Sequence, residues 1–123
     1  MSYEFYKVIH FYGILTLFTI LGGIALHALN GGTREANTGR RLVAAFHGVS
    51  LFLILAGGFG MLARLGMAEV GWPGWLLGKL AIWATLAVFG MLPYRRPALA
   101  KPALLLWPVL GAVAAWLVVV KPF

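Results

Sequence analysis

Cysteine is absent from this chain, which removes disulfide frameworks, thiolate zinc sites, iron–sulfur clusters and cysteine nucleophiles together. Acids are nearly as scarce: Glu4, Glu35 and Glu69 are the only carboxylates, against ten Lys and Arg. All three read as loop or terminal residues, so no span contains an acid. That speaks against a transporter driven through a buried carboxylate. Catalytic carboxylate pairs, P-loops and zinc hydrolase motifs are missing too. Charge as a whole is sparse. Only 11% of residues are charged, where a soluble domain carries about a quarter, which leaves too little polar surface to enclose the remainder in water.

What remains is hydrocarbon. The 123 residues are 62% hydrophobic, with a mean hydropathy of +0.92. A membrane span needs about 20 mostly apolar residues to cross roughly 30 Å at 1.5 Å per residue. Four segments approach that length: Val8–Leu29, Leu42–Ala63, Trp75–Leu92 and Ala103–Val120. A lone segment in lipid satisfies its backbone hydrogen bonds only as a helix. The sequence therefore predicts an all-α integral membrane protein, one domain over residues 1–123, with the lipid bilayer as its first partner. The net charge of +7 does not indicate nucleic acid, because the cations lie in short clusters between apolar runs.

Turn residues divide the spans. Asn30-Gly31-Gly32-Thr33 ends the first, Gly71-Trp72-Pro73-Gly74 precedes the third, and Pro93-Tyr94-Arg95-Arg96-Pro97 closes it. Such short connections make successive helices antiparallel neighbours, giving an up-down-up-down four-helix bundle. Ala25-Leu26-His27-Ala28 faintly resembles a signal cleavage site, but the apolar run before it is too long and its leader too weakly basic. Arg34, Arg40, Arg41, Arg95, Arg96 and Lys101 fall on the side of the first and third loops, against Lys7, Arg64 and Lys121 on the other. The positive-inside rule then places both termini outside the cytoplasm of a bacterial inner membrane. Gly22-Gly23 and Ala56-Gly57-Gly58 with Gly60 are small residues suited to close helix packing, or to making room for a flat cofactor. Pro108 predicts a kink in the fourth span.

Ionisable side chains at membrane depth are costly and mark candidate sites. Antiparallel connectivity puts Lys7, His10, Arg64 and Lys79 on one face and His27 and His47 on the other. Lys7 and His10 are three apart, and Trp75, Lys79 and Trp83 are four apart, so each set occupies one helix stripe. Cations beside aromatic walls suit a flat anionic ligand. Haem propionates or a porphyrin meet that description, and a quinone headgroup fits less specifically. The competing reading has Lys7, Arg64 and Lys79 reaching to lipid phosphates, with Trp72 and Trp75 as an interfacial belt. On the opposite face, His27 and His47 sit at depths about one turn apart. They could bind one haem iron from both sides, a closed arrangement suited to electron transfer, or each could hydrogen-bond a carbonyl.

Lys7-Val8-Ile9-His10 before a glycine-containing span, with Gly74-Trp75-Leu76-Leu77-Gly78-Lys79-Leu80 opening the third, resembles a group of small bacterial membrane proteins. The group includes HemJ-type protoporphyrinogen oxidases, CopD-like proteins and SirB-like proteins. Lys7, His10, Trp75 and Lys79 are similar to the Lys-x-x-His and Trp-Leu-x-x-Lys of HemJ, and Gly57 through Lys79 corresponds to the stretch shared with SirB-like proteins. The resemblance implies a haem b near His10, and either porphyrin oxidation or membrane electron transfer. The chain departs from HemJ in being shorter and in lacking an arginine-rich segment after the first span.

Three functions follow as expectations. The first is a membrane haem or porphyrin protein, with iron ligands from among His10, His27 and His47. The second is a non-catalytic accessory subunit that packs into a larger respiratory or photosynthetic complex, or against a second copy of itself, through its glycine faces. Metal or solute transport ranks last, since copper favours Met and Cys clusters and Met1, Met61, Met67 and Met91 form no Met-x-x-Met pair.

Overall fold

The computed structural model describes Ser2–Met67 and Gly71–Phe123; Met1 and the loop acid Glu69 lie outside the described residues. All regular structure in these residues is helical. Helix α1 spans Tyr3–Leu29, α2 Arg40–Arg64, α3 Gly74–Phe89, the short α4 Leu92–Arg95 and α5 Ala100–Val120, with a 3₁₀ turn at Pro97–Leu99 before α5. Four segments are long and apolar enough to cross a membrane, α3 and α4 together making the third.

The helix ends follow from local chemistry. Ser2 caps α1 by accepting from the amide of Phe5 at 3.2 Å, and Glu4 stands in that first turn, where the helix dipole favours an anion. The first span thus begins five residues before Val8 and includes an acid, because the cap rather than hydropathy sets the boundary. At its other end, Gly32 N–H donates to His27 O at 2.9 Å and Gly31 N–H to Ala28 O at 3.0 Å, with Gly31 at φ 82°. This is the Schellman arrangement. Helix α2 ends the same way, Met67 donating to Leu62 O and Gly66 to Ala63 O, with Gly66 at φ 71°. Pro93 does not stop the third span: it occupies the first turn of α4, where its missing N–H costs nothing. Pro108 lies inside α5, which continues to Val120.

Helix α1 is the organiser. It packs most extensively on α2 and next on α5, α3 packs on α5, and α2 and α3 touch only sparsely. The α1–α2 crossing is close because of glycines. A Cβ on Gly13 would lie 3.0 Å from Ser50 O, and one on Gly57 would lie 2.6 Å from the backbone N of His10. Gly60 lies under the ring of Tyr6. Gly22 and Gly23 take no part, with no atom within 4 Å of a Cβ at either. The expected small-residue packing therefore belongs to Gly57 and Gly60 on α2, against His10 and Tyr6, and to Gly13 on α1, against Ser50 and Ile54.

The main core, Leu17, Leu21, Ala25, Leu51, Leu86, Ala103 and Trp107, fills the half nearer the first and third connections. Those connections meet, Asn37 Nδ2 donating to Tyr94 OH at 2.7 Å. In the other half α1 and α2 stay in close contact at Gly57 and Gly60, and a smaller cluster of Trp75, Leu76 and Leu117 joins α3 to α5.

Candidate functional site

Two adjoining cavities occupy the half that carries the termini, of about 210 Å³ and about 550 Å³. The smaller lies among α1, α2, α3 and the end of α5, and the larger between α1 and α5 with α3 behind. His10, Lys79, Trp83, Ile54 and Met61 line both, so the cavities meet where the polar side chains gather. Trp83 is fixed there by its indole N–H, which donates to Leu51 O at 3.0 Å.

His10 is held with care. It is 5% exposed, and its Nδ1 lies 2.8 Å from Ile54 O. A carbonyl only accepts, so Nδ1 carries the proton. Nε2, at the tip of the ring, has no hydrogen-bond partner among the described residues. A backbone bond at one ring nitrogen fixes the tautomer and directs the other outward, which is the second-contact pattern of metal-binding histidines. Gly58 lies beside the ring, where a Cβ would stand 3.3 Å from Cε1.

The cations are arranged around that imidazole. Lys79 is half-buried and faces both cavities. Lys7 lines the larger one from an exposed position, with Nζ 5.8 Å from the ring centroids of both Tyr3 and Phe11. Lys121 lines the smaller one. Its Nζ donates to Val118 O at 2.8 Å and stands 5.1 Å from the ring centroid of buried Trp75, a cation–π arrangement. The carboxyl-terminal residues are pinned there, Trp75 N–H donating to Phe123 O at 3.0 Å. Among the described residues no acid lines either cavity, so the lysines there are electrostatically suited to an anion.

The structure thus brings together Lys7, His10, Trp75 and Lys79. Arg64 stands apart: it is exposed at the end of α2 and lines neither cavity, because its position turns it away from α3. Lys121 and Met61 join the site although the sequence pattern did not single them out. Connectivity alone puts the end of the fourth span on the same side as the start of the third, which is the signal that finds Lys121. Nothing in the local sequence marks Met61.

His27 and His47 have a different environment. His27 Nε2 donates to Thr33 O at 2.6 Å and its ring packs edge-on to Tyr94 at 6.2 Å. His47, 9% exposed, points Nε2 at Leu86 O at 3.4 Å. In both, the outer nitrogen meets a carbonyl, leaving only Nδ1, which sits next to the ring's own attachment. Neither lines either of these two cavities. Among the described residues, no three His, Cys, Asp or Glu side chains are grouped to hold a metal. Comparison with protein-family models, curated proteins and solved structures finds no match to the chain.

Proposed function

We propose that the chain crosses the bilayer four times as an antiparallel bundle in a bacterial inner membrane, and that it binds a haem b or porphyrin at the His10–Lys79 cavity, serving electron transfer or porphyrin oxidation. The observation that carries this reading is the imidazole of His10, locked by Ile54 O with Nε2 left over for an occupant. The two basic connections that meet through Asn37 and Tyr94 favour a cytoplasmic position for that end, with both termini on the opposite side.

Each side chain has a distinct part. His10 Nε2 offers a neutral nitrogen donor to an iron, its orientation set before the ligand arrives. Lys7, Lys79 and Lys121 attract carboxylates through charge-assisted hydrogen bonds, which are strongest where water is excluded. Trp75 and Trp83 supply flat apolar walls. A bound haem would contribute the one-electron chemistry; the protein contributes position and charge.

The test is direct. Protein purified in detergent from haem-replete cells should show a Soret band that shifts on reduction, and Lys79→Gln should weaken retention of the pigment by about tenfold, the loss of one charge-assisted contact. Colourless, porphyrin-free protein would end the proposal.

A second reading, an accessory subunit of a larger membrane complex, draws on Gly22 and Gly23, whose surroundings are open. Small residues on a free helix face allow a partner helix to approach closely. Co-purification of a stoichiometric partner that is lost in a Gly22→Leu/Gly23→Leu variant, with assembly unaltered in His10→Ala, would favour it.

A further inference from the structure

The larger cavity has a polarity gradient along its length. Tyr3, Lys7, His10 and Lys79 mark one end; beyond Phe11 the lining is apolar, except for the indole nitrogen of Trp83, already bonded to Leu51 O. On α1 the lining extends from Tyr3 to Phe18, about 22 Å of helix at 1.5 Å per residue, or some three-quarters of a hydrocarbon layer about 30 Å thick. Gly111, Ala114 and Ala115 face it from α5, at a spacing that puts three small side chains on one helix stripe. Leu17 and Leu86, both core residues, close the far end. Phe11, Ala115 and Val119 are exposed at the rim, so the cleft opens sideways between α1 and α5 onto the apolar outer surface.

We propose that this cleft is a chain-binding subsite: the ligand carries an anionic head, paired with Lys7 and Lys79, and a single hydrocarbon chain that lies between α1 and α5, having been loaded sideways from the bilayer. The inference rests on the reading of Lys79 and His10 as the polar end of the site, and not on the head being a porphyrin. A small soluble anion would leave the long apolar section without contacts. A purely apolar guest would leave the cations unpaired. Because a chain gains little by leaving lipid for protein, selection comes from the head, held by half-buried Lys79 and exposed Lys7, and the cleft sets the register of the chain behind it.

The experiment uses the full chain in lipid nanodiscs and a palmitic acid analogue with a mid-chain diazirine as the probe, its insertion sites being mapped by mass spectrometry. Labelling should concentrate on Ile14, Phe18 and Ala114, and should fall about tenfold with excess unlabelled palmitate, in Ala114→Trp, which fills the cleft, and in Lys7→Gln/Lys79→Gln. Ala115→Leu at the exposed rim is the milder obstruction and should give a partial loss while the fold is kept. Labelling spread over the outer surface, at Leu15 and Val113 for instance, and indifferent to competitor and to both cleft variants would overturn the proposal. His10→Ala separates this inference from the haem reading. Competitor-sensitive labelling that persists in His10→Ala, in a protein that never shows a Soret band, supports the chain subsite and removes the haem; a Soret band in the parent protein with diffuse, competitor-insensitive labelling in His10→Ala does the reverse.

Discussion

The half of the molecule that holds the termini and the half that holds the first and third connections are built from the same long helices, yet they treat histidine in opposite ways. Near the connections the helices interlock around Leu21, Leu51, Leu86 and Trp107, and His27 and His47 direct their outer nitrogens to carbonyls. Near the termini cavities lie between the α1–α2 pair and α3 and α5, and His10 turns its inner nitrogen to a carbonyl, the outer one having no partner among the described residues. The comparison separates rings whose outer nitrogen completes a packed structure from one whose outer nitrogen has no partner among the described residues. Burial does not distinguish them, since His10 and His47 are both buried. The choice of ring nitrogen does.

Substitutions can break this contrast, and the largest effect is expected at His10. His10→Ala should remove bound pigment altogether, read by absorbance, while His27→Ala should leave pigment in place. Next comes Gly57→Ala, which puts a methyl group 2.6 Å from the His10 backbone nitrogen. Backbone cannot yield as a side chain does, so the α1–α2 crossing should open at a cost of about 1–3 kcal/mol, seen as a lower thermal midpoint in detergent. His27→Ala should cost about 1 kcal/mol through the lost bond to Thr33 O, confined to the connection end. The two tryptophans sharpen the comparison further. Trp83→Phe should lose about 1 kcal/mol with its bond to Leu51 O, whereas Trp107→Phe should be close to neutral in stability, because Trp107 Nε1 is buried with no partner. Opposite in sign, Gly22→Ala and Gly23→Ala should stabilise by up to about 1 kcal/mol, since alanine favours helix and both sites are open.

Much of this architecture was legible in the residues. The apolar run lengths located all four long helical segments, and Asn30-Gly31-Gly32 marked the end of α1. Connectivity alone placed His10 with Lys79, and His27 on the other side. Glycine roles were harder to read: Gly57 and Gly22 look alike in sequence, but only rotation about the helix axis decides which meets a neighbour, and apolar residues all round each helix hide that rotation. The same ambiguity placed Arg64 in the cluster. Hydrogen-bond direction could not be read from sequence at all. That His10 uses Nδ1 and His27 uses Nε2 depends on which carbonyl each ring reaches, a matter of ångströms set by packing.

Of the three imidazoles, His10 alone lines the cavities described above. Reduced-minus-oxidised absorption spectra of the purified protein, its His10→Ala variant and the His27→Ala/His47→Ala double variant test its proposed role in a single series. A Soret difference signal is expected in the parent and the double variant and none in His10→Ala. A signal that survives His10→Ala and vanishes with the other pair would contradict that role.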